Sequence, residues 1–309
     1  MISAEIILAV ILTIMTASTP LVLAAIGELV VERSGVLNLG VEGMMIVGAA
    51  AGFAGAQLTG SAYGGVVFAA GAGVALSLVF AVFVLLLATN QYATGLATTL
   101  LGLGIAGLLG QGYVGLPGIK LESLPIPVLA QIPFIGPLLF DHDILVYGSF
   151  LLVAVVSYVL FRTRLGLTIR AVGDNHDSAH AIGTNVIAVR FIAVLFGGAC
   201  AGLAGGYLSL VYTPQWVEGM SAGRGWIAVA LVVFAAWRPV RLLVGAYLFG
   251  TVLILQFHAQ AAGVPIPSQL LSALPYLATI VVLVAVSAVR SSPQTAAPAC
   301  LGRPFLPSS

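Results

Sequence analysis

The chain has 309 residues, 60% of them apolar and only 7% charged, with a formal net charge of +1. A water-soluble domain carries about 25% charged residues, so this composition excludes that class. The net charge says nothing about nucleic acid, and no basic patch supports binding to it.

Asp, Glu, Lys and Arg are absent from residues 43–119, 191–217 and 242–289. A helix that crosses a hydrocarbon core about 30 Å thick needs roughly 20 apolar residues. These stretches are continuously apolar rather than alternating with a period of two, which predicts helices and not the strands of a barrel. Candidate spans fall at about 4–26, 41–58, 62–88, 92–115, 144–161, 190–212, 224–237, 242–262 and 269–289. The fold class is therefore an all-α polytopic membrane protein, a bundle of roughly 8–10 transmembrane helices.

In chain order, the first span has no basic residues ahead of its apolar run and reads as a retained helix rather than a cleaved leader. The stretch GELVVERSGVLNLGVEGMMIVGA (27–49) follows it and sets Glu28, Glu32, Arg33 and Glu42 between oily segments. An unpaired charge at the centre of a membrane helix costs at least about 2.5–3.5 kcal/mol. Gly35, Gly40 and Gly43 permit a broken or re-entrant element over 27–43, whose open backbone would suit a water-filled pathway. Two readings stand: these polar groups anchor the entry to the second span, or Asn38 and Glu42 line the route of an uncharged solute.

Pairs of small residues four apart, Gly48 with Gly52, Gly198 with Gly202 and Gly202 with Gly206, are expected where helix backbones approach closely. The connection 116–143 holds five prolines and balances Lys120 against Glu122, Asp141 and Asp143, as an external loop would. Arg162, Arg164, Arg170 and Arg190 instead border the polar stretch AVGDNHDSAHAIGTN (171–185); Arg238 and Arg241 border the next loop, and Arg290 and Arg303 lie in the tail. The positive-inside rule places all three regions in the cytoplasm. Within the polar stretch, Asp174 or Asn175 can cap a short helix from His176 to Ile182, which Gly183 stops. The spacing gives that helix one small, weakly apolar face of Ser178, Ala179 and Ile182, suited either to a partner's groove or to closing a loop.

Further on, GRGW (223–226) puts Arg224 and Trp226 where a membrane interface anchors a helix, although an aromatic ring there could also stack on a nucleobase. Trp216 is expected to be a similar anchor. The tail, 291–309, is rich in Pro, Ser and Ala and is expected to be disordered. Cys200 and Cys300 have no metal-ligand spacing. No G-x-x-x-x-G-K-[ST] loop occurs, so ATP cannot be bound here by that route, and no serine, metalloprotease or paired-aspartate motif suggests an intramembrane enzyme.

The run from Arg164, RLGLTIRAVGDNHDSAHAIGTNV, resembles the cytoplasmic coupling loop of ABC importer permeases in the ribose and branched-chain amino-acid superfamily. Arg170, Ala171, Gly173, Asn175, Ala179 and Gly183 keep that family's frame. His176 stands where proline is usual, Ser178 replaces an alanine and His180 a common basic residue. The 27–49 stretch and SAGRGWIAVALVVFAAWRPV (221–240) are similar to the nucleoside or simple-sugar subgroup, whose partners are basic-membrane-protein-type lipoproteins.

The resemblance implies a permease domain over 1–290, with a coupling loop at 162–190 and a cytoplasmic tail. Arg170, Gly173, Asp174, Asn175, Asp177, Ala179, Ala181 and Gly183 would couple to the ATPase, and Asn38, Glu42, Arg224 and Trp226 would line the substrate pathway. It implies no cofactor or metal in this chain, with ATP-Mg held by a separate ATPase subunit. A second permease, a binding lipoprotein and a small polar solute, a nucleoside first, would be the partners, in a bacterial plasma membrane. Another sugar or an amino acid is the alternative solute. A secondary transporter or channel is the alternative class, but it would need ion-coupling groups that these spans lack.

Overall fold

A computed structural model describes residues 4–127, 132, 135–261, 267, 270, 273, 277, 280, 281, 284 and 297–306. Eleven α-helices are seen among the described residues: α1 (Ala4–Arg33), α2 (Val41–Thr59), α3 (Ala62–Ala81), α4 (Gln91–Gly110), α5 (Ile135–Phe140), α6 (Ile144–Arg162), α7 (Arg164–Asp174), α8 (His176–Ala181), α9 (Val186–Tyr207), α10 (Arg224–Phe234) and α11 (Pro239–Ala261). Wider π-type turns extend α3 to Leu86 and α9 to Tyr212. Seven of these helices (α1, α2, α3, α4, α6, α9 and α11) are long and apolar enough to cross a membrane. The protein is a multi-pass, all-α membrane protein.

One expected span differs and another is described only in part. The candidate at 224–237 is an 11-residue helix, α10. At 1.5 Å per residue it reaches about 16 Å, half of a hydrocarbon core. It starts after Gly223 in the left-handed region and stops where Ala236 and Trp237 take φ of 49° and 55°. The candidate at 269–289 is described only at Leu270, Ala273, Leu277, Ile280, Val281 and Val284, all helical; the rest of it lies outside the described residues.

At the end of the first helix the expected break forms, at Gly35 to Gly40, but without a re-entrant element: α1 continues unbroken to Arg33 and a buried elbow of residues 34–40 then leads into α2. The helix can continue because its carboxylates find donors inside the protein, as described below. The chain reverses at Gly35, whose φ of +89° is the left-handed conformation that glycine adopts freely.

Helix α9 is the hub of the bundle and packs on α1, α2 and α3. The glycine spacing is realised as a seam. A Cβ added to Gly48 would lie 2.5 Å from the carbonyl oxygen of Gly202 and 2.6 Å from its Cα, and one added to Gly202 would lie 3.0 Å from the Cα of Gly73. Backbone thus meets backbone from α2 through α9 to α3, the contact that small residues make possible between membrane helices. Trp216 is not an interfacial anchor: it is 2% exposed, and its indole lies against Gly110.

The tail also departs from expectation. Residues 297–306 are not disordered but dock against the bundle, with Cys300 and Phe305 buried. Backbone bonds hold them, from Cys300 N–H to the Gly173 carbonyl (2.9 Å) and from Gly302 N–H to the Gly35 carbonyl (3.2 Å). Such partners are main-chain atoms, which leave no trace in composition.

Candidate functional site

The polar stretch between α6 and α9 folds as two short helices. Thr163 caps α7 through its hydroxyl, which accepts from Gly166 N–H at 3.3 Å. Asn175 leaves the helical region and its Oδ1 accepts from Ser178 N–H at 2.9 Å, so Asn175 rather than Asp174 caps α8. Gly183, at φ +88°, closes α8 with bonds from Gly183 N–H to His180 O (2.8 Å) and from Thr184 N–H to Ala179 O (3.0 Å).

The face that α8 turns outward is not the expected one. Ala179 is 3% exposed and packs inward with Val172, Val186 and Phe305. The outward face is Asp177, Ser178 and Ala181, continued by Ile182 at 81% exposure. An isolated apolar side chain exposed beside an acid, on a rigid capped turn, is a small knob that a groove could receive. Of the other candidates for coupling, Gly173 lies buried at the meeting of α7 and the tail, while Arg170 and Asp174 line a cavity of about 1010 Å³ with Arg33, Arg238 and Arg241. The Arg170 guanidinium also sits 5.3 Å from the Phe161 ring centre.

One residue ties this loop to the bundle. Arg190, on α9, is 1% exposed and uses three nitrogens on three segments. Nε donates to Ser34 O in the elbow (3.1 Å), Nη1 to Arg303 O in the tail (3.2 Å), and Nη2 to His176 Nδ1 on α8 (3.0 Å). A guanidinium only donates, so His176 Nδ1 must be the acceptor and the ring is neutral. Burial, followed by the charge of Arg190, holds the His176 pKa below its usual value of 6.5.

A second polar group lies inside the bundle. Glu42 Oε1 accepts from Ser221 Oγ (2.6 Å) and Gly223 N–H (2.8 Å), and Oε2 accepts from Gly225 N–H (2.7 Å). The carboxylate therefore caps the N-terminus of α10, where free N–H groups and the helix dipole favour an anion. Asn38 is fully buried: its N–H donates to Glu28 Oε1 (3.1 Å) and its Oδ1 accepts from Gly40 N–H (2.8 Å). Trp237 Nε1 donates to Glu32 Oε2 (2.6 Å), while Arg33 donates to Trp237 O through Nε (3.2 Å) and Nη2 (3.0 Å). The end of α1 is thereby pinned to the α10–α11 connection.

Of the four pathway candidates, Glu42 and Arg224 meet at the turn 221–225. Asn38 and Glu42 are spent on internal bonds. Arg224 is half-buried, bonded to Met220 O (3.1 Å) and Ser221 O (3.3 Å), with its guanidinium 5.2 Å from the Tyr212 ring centre. Trp226 is 52% exposed, as an anchor at the bundle surface would be. Among the described residues no group of three His, Cys, Asp or Glu side chains could hold a metal ion.

With seven spans and a capped, knob-like loop in place, comparison with known proteins decides the family. The profile described as "Branched-chain amino acid transport system / permease component" matches residues 10–286. This chain belongs to that permease family. Among its relatives is the "Putative glucose ABC transporter permease protein TsgC13" of Haloferax volcanii, 44% identical over 289 residues, covering 86% of this chain and 88% of the relative. The nucleoside ABC transporter permease protein NupC of Lactococcus lactis and the guanosine ABC transporter permease protein NupQ of Bacillus subtilis are each 31% identical, over 279 and 284 residues, with the same coverage. No solved structure matches the permease.

Three residues central to this permease's polar architecture carried little signal. Arg190 reads as one more boundary charge, Phe305 sits in a tail of low complexity, and Trp237 reads only as half of a W-x-P pattern. The separation of Trp237 from Glu32 by 205 positions explains why the pair is invisible in a local reading.

Proposed function

We propose that this permease is a membrane subunit of an ABC importer and that the outer face of α8 is where a separate ATPase subunit docks. The observation that carries this reading is the knob formed by Asp177, Ser178, Ala181 and Ile182, standing on a buried arginine that reaches the bundle. A device that only closed a loop would have no need of so stiff a mount. ATP-Mg is bound by the partner, closure of which moves α8 and switches the bundle between outward- and inward-open states. A binding lipoprotein delivers the solute, and a related second permease completes the pore. The loop and the tail lie in the cytoplasm of a plasma membrane, as the arginines bordering them favour.

The solute in this proposal is uncharged and rich in hydroxyl groups, a sugar or a nucleoside. The residue patterns favour a nucleoside, and relatives named for nucleoside and guanosine transport support it. The glucose-named relative, at higher identity, supports a hexose, and this makes the sugar a second reading of equal standing. Asn38 and Glu42, being internally bonded, act in this proposal by shaping the wall of the route rather than by holding the solute.

A photo-crosslinking residue at position 182 is expected to capture an ATP-hydrolysing subunit, whereas one at position 179 is not, because Ala179 points inward. Capture from 179 and not from 182 overturns the assigned face. Competition between guanosine and glucose for uptake then separates the two solutes.

A further inference from the structure

We propose that the segment 297–306 is a strap that makes α8 and the α1–α2 elbow move as one body, with Phe305 as its grip on α8. This rests on the docking reading above and adds what transmits the movement. A six-residue helix is too short to hold itself together. Of the four buried residues in the cluster beneath α8, one, Phe305, comes from the tail. Its ring stands edge-on to both histidines of the helix, with centres 5.3 Å from His176 and 5.3 Å from His180.

From Phe305 the strap runs back across the elbow. The Arg303 carbonyl accepts from Arg190 Nη1 (3.2 Å) and Gln91 Nε2 (3.4 Å), and the Oε1 of Gln91 accepts from Leu37 N–H of the elbow (2.8 Å). Gly302 N–H then reaches Gly35 O, and Cys300 N–H reaches Gly173 O. A Cβ on Gly35 would lie 2.8 Å from Arg190 Nη2 and 3.4 Å from Cys300 O, so elbow, arginine and strap leave no slack. Beyond the elbow the load passes to α1, clamped to Trp237, and to α2, clamped through Glu42 to α10. A push on α8 is therefore delivered to the helices that carry the interior clamps and not only to α9. Contiguity alone does not measure coupling, so the strap is tested by separating transport from hydrolysis.

In the assembled transporter, Phe305→Ala is expected to lower the solute moved per ATP hydrolysed by roughly fivefold or more, the lower end of coupling between distant sites. The ATPase crosslink from position 182 persists, and Phe305→Tyr restores the ratio. Hydrogen exchange should quicken together in 34–40 and 176–183. An unchanged ratio with the crosslink intact, or faster exchange confined to the tail, overturns the strap. Absence of the crosslink from position 182 when Phe305 is intact overturns the docking reading instead. Should Phe305→Ala not reach the membrane, Phe305→Leu keeps the buried apolar bulk without the ring and is read by the same ratio and the same criteria.

Discussion

The Glu42 clamp and the outer face of α8 are built from the same short vocabulary of acids, serines and glycines, yet they differ in where their bonds end. Every acceptor of Glu42 is used by Ser221, Gly223 and Gly225, and the carboxylate is 6% exposed. Asp177, by contrast, has an 81% exposed side chain, and its contact is with its neighbour His176, Nε2 to Oδ1 at 3.6 Å. Buried and satisfied, a carboxylate becomes architecture; exposed on a capped turn, it is left for something else to meet.

The comparison breaks most readily at Glu42. Glu42→Ala would leave two buried donors, Ser221 and Gly225, and the half-buried Gly223 N–H without acceptors, each buried one costing about 1–3 kcal/mol. Thermal unfolding of the purified permease should fall steeply, while Glu42→Gln, which keeps one acceptor oxygen, should lose less. Normal stability of Glu42→Ala would show that the clamp is decorative. Trp237→Phe comes next. It removes the donor to Glu32 Oε2, and Glu32 Oε1 already has no partner, so the buried carboxylate is left bare. The expected loss is about 1–3 kcal/mol, as for a buried polar group left without its partner, and it should be visible as looser α1–α11 packing in protease susceptibility.

The smallest effect is at His176, and it sharpens the contrast from the other side. Its depressed pKa means that the folded protein favours the neutral ring. The stabilisation it gives is fully present above about pH 6.5, the ordinary histidine value, and is lost as pH falls through the lower folded value. The groups facing it are Arg190 from α9, Asp177 on α8, and Arg303 from the tail. Acidification should therefore weaken the hold of Arg190 on α8 and raise exchange in 176–183, and His176→Gln should flatten that pH dependence. An identical pH profile in the variant would remove His176 from the linkage.

Much of this was legible in the residues. Uncharged stretches marked the long spans, glycines four apart marked the α2–α9–α3 seam, and Asn175 and Gly183 bounded α8 because caps and stops are local chemistry. What was hidden depended on partners far away in the chain or on main-chain atoms. Glu28 and Glu32 looked like the edge of a membrane segment because their donors, Asn38 and Trp237, enter only through the fold. The tail looked disordered because its bonds run to the carbonyls of Gly173 and Gly35. Ala179 was assigned to the wrong face because a two-turn helix has no periodicity long enough to tell inside from outside.

The glycine seam has a mechanical consequence. Where Gly48 meets Gly202 and Gly202 meets Gly73, main chain touches main chain with no side chain between them to bend or re-pack, so sliding is resisted there. The three must turn as a single slab. Any rocking that opens a route through the membrane has to be absorbed at joints cushioned by long side chains, and the half-length α10, hung on one carboxylate of that slab, is the natural hinge leaf.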